Sequence, residues 1–136
     1  MRPALAVVLV LGALGCAHNP TAPSVPVGRE FRVAAGDSVS VEGADFTLRF
    51  SHVAGDSRCP ADAVCVWMGD AEAVFLVNER GRPASPLSLH TEPSRGQQAR
   101  FDGWTLTLGG LEPYPYSGRP VAPSDYKATL RVDPAP

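Results

Sequence analysis

The chain predicts a small all-β domain: a single antiparallel β-sandwich, Ig-like, or a partly open barrel, of about seven strands. Three observations carry this prediction. Apolar and polar residues alternate with a period of two after residue 30, no stretch holds a convincing helical period, and the 14 prolines and 13 glycines fall mostly between the alternating stretches. A proline inside a central strand would remove a ladder hydrogen bond, so its place at the joints fits many short strands.

Phe31 and Val33 mark a first strand, and Val39 and Val41 a second, after the turn Ala35-Gly36-Asp37. The segment 46–50 places Phe46, Leu48 and Phe50 on one face and Thr47 and Arg49 on the other. Residues 72–78 hold the run Ala73-Val74-Phe75-Leu76-Val77, apolar on both faces, which reads as a central strand covered on two sides. Leu87 and Leu89 mark a fifth strand. Asp102-Gly103 is a hairpin turn ahead of Trp104, Leu106 and Leu108, which alternate with Thr105 and Thr107. The last strand turns Tyr126, Ala128, Leu130 and Val132 inward and Lys127, Thr129 and Arg131 outward.

The amino terminus reads as an address. Arg2 supplies a positive start, residues 4–14 form an uncharged apolar run, and Gly15 directly precedes Cys16. Eleven helical residues rise about 16 Å, half of a hydrocarbon core, so the run is a targeting segment and not a span. Leu11-Gly12-Ala13-Leu14-Gly15-Cys16 resembles the bacterial lipobox, with Ala13 where the motif usually has Leu. The resemblance implies acylation of Cys16, palmitate included, and cleavage before it. Residues 1–15 are then a lipoprotein signal peptide, 16–28 the lipidated cysteine with a proline-rich tether, and 29–136 the β-sandwich domain. The tether segment 17–28 has three prolines and no charge, and its twelve residues reach about 37 Å in polyproline-like extension. Ala17, where inner-membrane retention would place Asp, favours the outer membrane, facing the periplasm.

An exported chain with three cysteines ordinarily leaves one thiol unpaired. Here Cys16 takes the lipid, and Cys59 and Cys65 remain as a disulfide pair in an oxidising compartment. A metal pair or redox dithiol is the rival reading, but five residues separate the cysteines where redox motifs have two.

The least generic stretch is Arg58-Cys59-Pro60-Ala61-Asp62-Ala63-Val64-Cys65-Val66-Trp67-Met68-Gly69-Asp70. It resembles the R-C-P-x4-C-x-W-x-G signature of a group of small uncharacterised bacterial lipoproteins and exported proteins. Leu111-Glu112-Pro113-Tyr114-Pro115 and Asp125-Tyr126-Lys127-Ala128-Thr129-Leu130 resemble the same group's carboxyl end. The resemblance implies a compact β-domain and no activity. Trp67 has two readings, a core tryptophan packed beside the disulfide or an exposed anchor for a partner; its position in line with a disulfide and a strand favours the core. Tyr114 and Tyr116, among Pro113 and Pro115, line a loop, either covering an edge of the core or forming a recognition patch. Trp67, Met68, Tyr114 and Tyr116 are thus the candidate interaction surface.

Chemistry is sparse. Twelve basic and fourteen acidic residues are interspersed, which leaves no nucleic-acid footprint. His18 lies on the tether, and His52 and His90 each close a strand; none sits in a nucleophile motif. Asp56, Asp62 and Asp70 flank the cysteine loop without EF-hand spacing, and Met68 with His52 is the one soft metal pair on offer. The expectation is a lipid-anchored envelope protein with a non-catalytic binding or structural role, no cofactor, and an envelope protein as partner. A periplasmic metal- or small-ligand-binding protein is the alternative, and an enzyme the last choice.

Overall fold

The computed structural model describes residues 22–136. The expected signal peptide, Cys16, His18 and the first part of the expected tether lie outside the described residues. Nine strands follow in order: β1 (Ser24–Val25), β2 (Glu30–Ala34), β3 (Ser38–Val41), β4 (Phe46–Asp56), β5 (Ala71–Glu79), β6 (Ser85–His90), β7 (Gln98–Phe101), β8 (Trp104–Glu112) and β9 (Lys127–Pro134). They form two sheets, of order β1-β3-β4-β5-β6 and β2-β9-β8-β7, facing each other as a sandwich. All neighbouring pairs are antiparallel except β1 with β3.

The alternation read from the sequence is the alternation that is buried. Phe46, Leu48 and Phe50 on β4, Leu106 and Leu108 on β8, and Ala128, Leu130 and Val132 on β9 point between the sheets, with Tyr126 buried just ahead of β9. Period-two burial is what a sheet with one dry and one wet face requires. At the centre, the rings of Phe50 and Phe75 stack with centroids 5.0 Å apart. The Asp102-Gly103 hairpin also forms: φ is 37° at Asp102 and 78° at Gly103, the two left-handed positions of a turn whose twist matches its strands.

Three expectations change. β5 is interior to its sheet, but only Ala71, Ala73, Phe75 and Val77 are buried, while Val74 and Leu76 are half-buried; a two-layer sandwich covers one face of each sheet. The tether ends earlier than residue 28, because Ser24 and Val25 pair with Ser40 and Val41 and the Val25 side chain enters the core. Its flanking prolines suit an edge strand and hid it from a periodicity argument. β7 completes the hairpin with four residues, Gln-Ala-Arg-Phe, too short a stretch to be read as a strand.

Strand direction positions everything that follows. Each even-numbered strand runs toward one end of the sandwich and each odd-numbered strand runs away from it. That end therefore gathers the turn at 35–37, the cysteine loop at 57–70, the turn at 91–97, the loop at 113–126 and the entry of the chain at Ala22. The opposite end holds the turns at 42–45, 80–84 and 102–103.

Phe75→Ala removes a fully buried ring from the middle of the core. The expected loss is about 3–5 kcal/mol in urea unfolding, with the m-value unchanged.

Candidate functional site

The cysteine loop continues the β4–β5 ladder past the end of the sheets. The Ser57 N–H donates to the Asp70 carbonyl at 2.7 Å, and the Cys59 N–H to the Met68 carbonyl at 2.9 Å. Beyond these rungs the Cys59–Cys65 disulfide closes the tip, its Cα atoms 5.9 Å apart. The pairing expected from the sequence is the one formed. Gly69 sits at φ 71°, and a Cβ there would lie 1.9 Å from the Ser57 carbonyl oxygen. Only glycine lets the two arms approach this closely.

Arg58 is the root of the loop. It is 5% exposed, and each of its three guanidinium nitrogens donates a hydrogen bond. Nε and Nη2 donate to the two Asp56 carboxylate oxygens at 2.8 and 2.6 Å, Nη1 donates to the Leu111 carbonyl at 2.5 Å, and Nη2 also reaches the Pro113 carbonyl at 2.8 Å. The Tyr126 hydroxyl donates to Asp56 at 3.0 Å, and the guanidinium carbon stands 4.5 Å from the Tyr114 ring centre. A buried cation is tolerated because a bidentate carboxylate and two carbonyls replace its water. Burial alone would raise the Asp56 pKa, but the bonds and charge of Arg58, with the Tyr126 hydroxyl, outweigh it and hold the carboxyl below its ordinary value.

A second seam joins the cysteine loop to the loop at 113–126. Ala61 N–H donates to the Pro115 carbonyl at 2.9 Å, and Ser117 N–H to the Asp62 carboxylate at 2.8 Å. The two loops named as candidates thus stand side by side on one base.

Trp67 is not a core residue. It is 83% exposed, Val66 93% and Met68 80%, with Val64 fully in solvent. The favoured reading of Trp67 fails for a geometric reason: the ladder at Cys59 and Met68 has run past the end of the opposite sheet, so no layer remains to cover it. Tyr114 and Tyr116 are each half exposed, and Arg119 lies 5.7 Å from the Tyr116 ring. An open groove of about 570 Å³ runs beside Trp67, bounded by Ser57, Met68, Asp70, Glu92 and Arg95.

The remaining polar candidates separate. Asp56 serves Arg58, Asp62 serves Ser117, and Asp70 accepts from His90 Nδ1 at 2.7 Å, the Glu92 N–H at 3.0 Å and the Thr91 hydroxyl at 3.2 Å. The three carboxylates therefore do not converge on a cation. Burial pushes Asp70 up, and the bonds from His90, Glu92 and Thr91 overcome it and leave it below its ordinary value. His52 stands within β4 opposite Val74, not at the strand's end, and its ring lies 3.0 Å from the Ser51 hydroxyl. It is about seven residues along the strand from the Met68 rung, roughly 20 Å, so these two do not form the soft metal pair. Among the described residues no group of three or more His, Cys, Asp and Glu is placed to hold a metal ion.

No protein family, no curated protein sequence and no solved structure matches the chain.

Arg58→Ala strands Asp56 in a buried site, and the expected loss is about 3–5 kcal/mol in denaturant unfolding. Because the Asp56 pKa is depressed on folding, its contribution is complete above the unfolded carboxyl value near 3.9 and is lost as pH falls through the lower folded value. Unfolding free energy of the wild type should therefore drop steeply on acidification below about pH 4, and Asp56→Asn should be weaker at neutrality with a shallower acid slope. Gly69→Ala should cost at least about 2 kcal/mol, because a left-handed φ and a backbone collision act together.

Proposed function

We propose that the chain is a lipid-anchored cell-envelope protein, held at the outer membrane through Cys16 and facing the periplasm, that acts by contact and without catalysis. The observation that supports this reading best is the apolar quartet Val64, Val66, Trp67 and Met68, held fully in water on a loop closed by a disulfide and rooted by a buried ion pair. Exposed valine, methionine and tryptophan side chains at one place are costly in a free domain, and such patches mark contact sites. The stapled base means that little loop ordering is left to oppose association.

The polar groups nearby support a framework role. His90 is oriented by Asp70, which at the same time holds the Thr91–Glu92 turn, so this pair has a structural task. The likeness of 58–69 to the bacterial lipoprotein signature and of 11–16 to the lipobox point to the same compartment.

The test is a benzophenone amino acid at position 67 in growing cells. Irradiation should give a discrete adduct, to an envelope protein or to a phospholipid, while the same probe at position 82, at the opposite end, should give none. Mass spectrometry of the mature chain should show an acylated first residue at Cys16 and one disulfide. No adduct from position 67, or an unacylated mature chain that leaves the membrane, would overturn the reading.

A further inference from the structure

The direction of β1 carries a consequence for the exposed loop. β1 is parallel to β3, so the chain enters the domain at the end that bears the cysteine loop. The register sets the level of that entry: Ser24 pairs with Ser40 and Ser40 with Thr47, which puts Ala22 level with Ser38 and Arg49. Bonds from Ser40 to the Pro23 carbonyl at 2.9 Å and from its hydroxyl to the Ala22 carbonyl at 3.2 Å fasten this segment to the sheet.

From that level β4 runs on through Asp56, seven residues or about 23 Å less a little for its two irregularities. The rungs to Cys59 and the tip add about 10 Å more. Six residues separate Ala22 from Cys16, and a fully extended chain covers at most about 3.3–3.6 Å per residue, roughly 20–22 Å in all. Even at full stretch, then, Cys16 reaches only the base of the loop when the strands stand upright on the membrane.

We infer that the tip of the Cys59–Cys65 loop, with Val64, Val66, Trp67 and Met68, inserts into the same lipid leaflet that holds Cys16. This rests on the proposed acylation of Cys16. The overshoot of about 10 Å matches the 5–10 Å to which apolar surface enters the boundary of headgroups and acyl chains. The side chains suit that depth: valines and methionine for the acyl boundary, and Trp67 for the interface, where an indole keeps its N–H among polar groups. Tyr114 and Tyr116 stand behind the tip, at headgroup level, with the exposed Arg95 and Arg119 beside the lipid phosphates. Asp62, the one ionisable side chain between Cys59 and Cys65, is turned onto the Ser117 N–H. A soluble partner would face a patch that the short tether presses against lipid.

The full mature lipoprotein, reconstituted into vesicles of phosphatidylethanolamine and phosphatidylglycerol, tests this. Vesicles with acyl chains brominated near the headgroup should quench tryptophan emission about two-fold relative to unbrominated vesicles, and deep bromines should quench less. Trp104 sits at the opposite end of the sandwich and supplies a constant background, which Trp67→Phe isolates. The pair Val66→Asp and Met68→Asp keeps the probe and should abolish the quenching without altering the β-sheet circular dichroism, since both side chains lie in solvent. Protein that floats with the vesicles but is not quenched overturns the insertion while leaving the anchor standing. Protein that does not float overturns the anchor, and the insertion with it. Trp67 unquenched in pure lipid yet shielded from acrylamide in native envelopes overturns it in favour of a protein partner.

Discussion

The Arg58–Asp56 ion pair is the constraint on which the exposed end of this molecule depends. Both side chains are buried, and a lone charge there would cost several kcal/mol, so neither partner is tolerable without the other. The guanidinium has donors left after Asp56 is satisfied, and they go to the carbonyls of Leu111 near the end of β8 and of Pro113 just beyond it. One cation thereby locks the β4 end, the β8 end and, through Tyr126, the start of β9. Beside the buried Ala71, Leu111 and Tyr126, at the rim of the apolar core, this polar cluster joins the two sheets.

Above that cluster the loop is stiffened by independent devices that act on different atoms. Backbone rungs fix the arms, Gly69 permits their close approach, the disulfide closes the tip, and the Ala61–Pro115 and Asp62–Ser117 bonds brace one side. The side chains of Val66, Trp67 and Met68 stand largely in water beside this framework, although the Met68 carbonyl is one of its rungs. A rigid mount under a solvated apolar tip makes physical sense for contact with another surface. The topology adds the direction: the alternation of strands that places the loop at one end places the chain's entry there too.

Much of the fold was legible because a β-sandwich is periodic. Phe46, Leu48 and Phe50, the inward residues of β8 and β9, and the Asp102-Gly103 turn were each readable from neighbours within a few positions. β1 and β7 were not, since one is two residues between prolines and the other only four residues long. The candidate site was legible in its membership and illegible in its arrangement. Trp67, Met68, Tyr114 and Tyr116 are residue types that make contacts, yet the place of Trp67 beside a disulfide and a strand suggests the core and gives no sign of its exposure. Arg58 went without a role, although an arginine beside a cysteine in the most distinctive stretch of the chain was the available signal.

By itself the sequence determined the sheet-forming alternation, the hairpin, the pairing of Cys59 with Cys65 and the distinctiveness of 58–70, all of which rest on local spacing or on simple counting. Only the tertiary structure decided which loops share an end, that Arg58 is buried on carbonyls more than fifty residues away, and that Trp67 stands in water. Burial depends on where the opposite sheet stops, and a strand's own residues carry no record of the length of the layer that faces them.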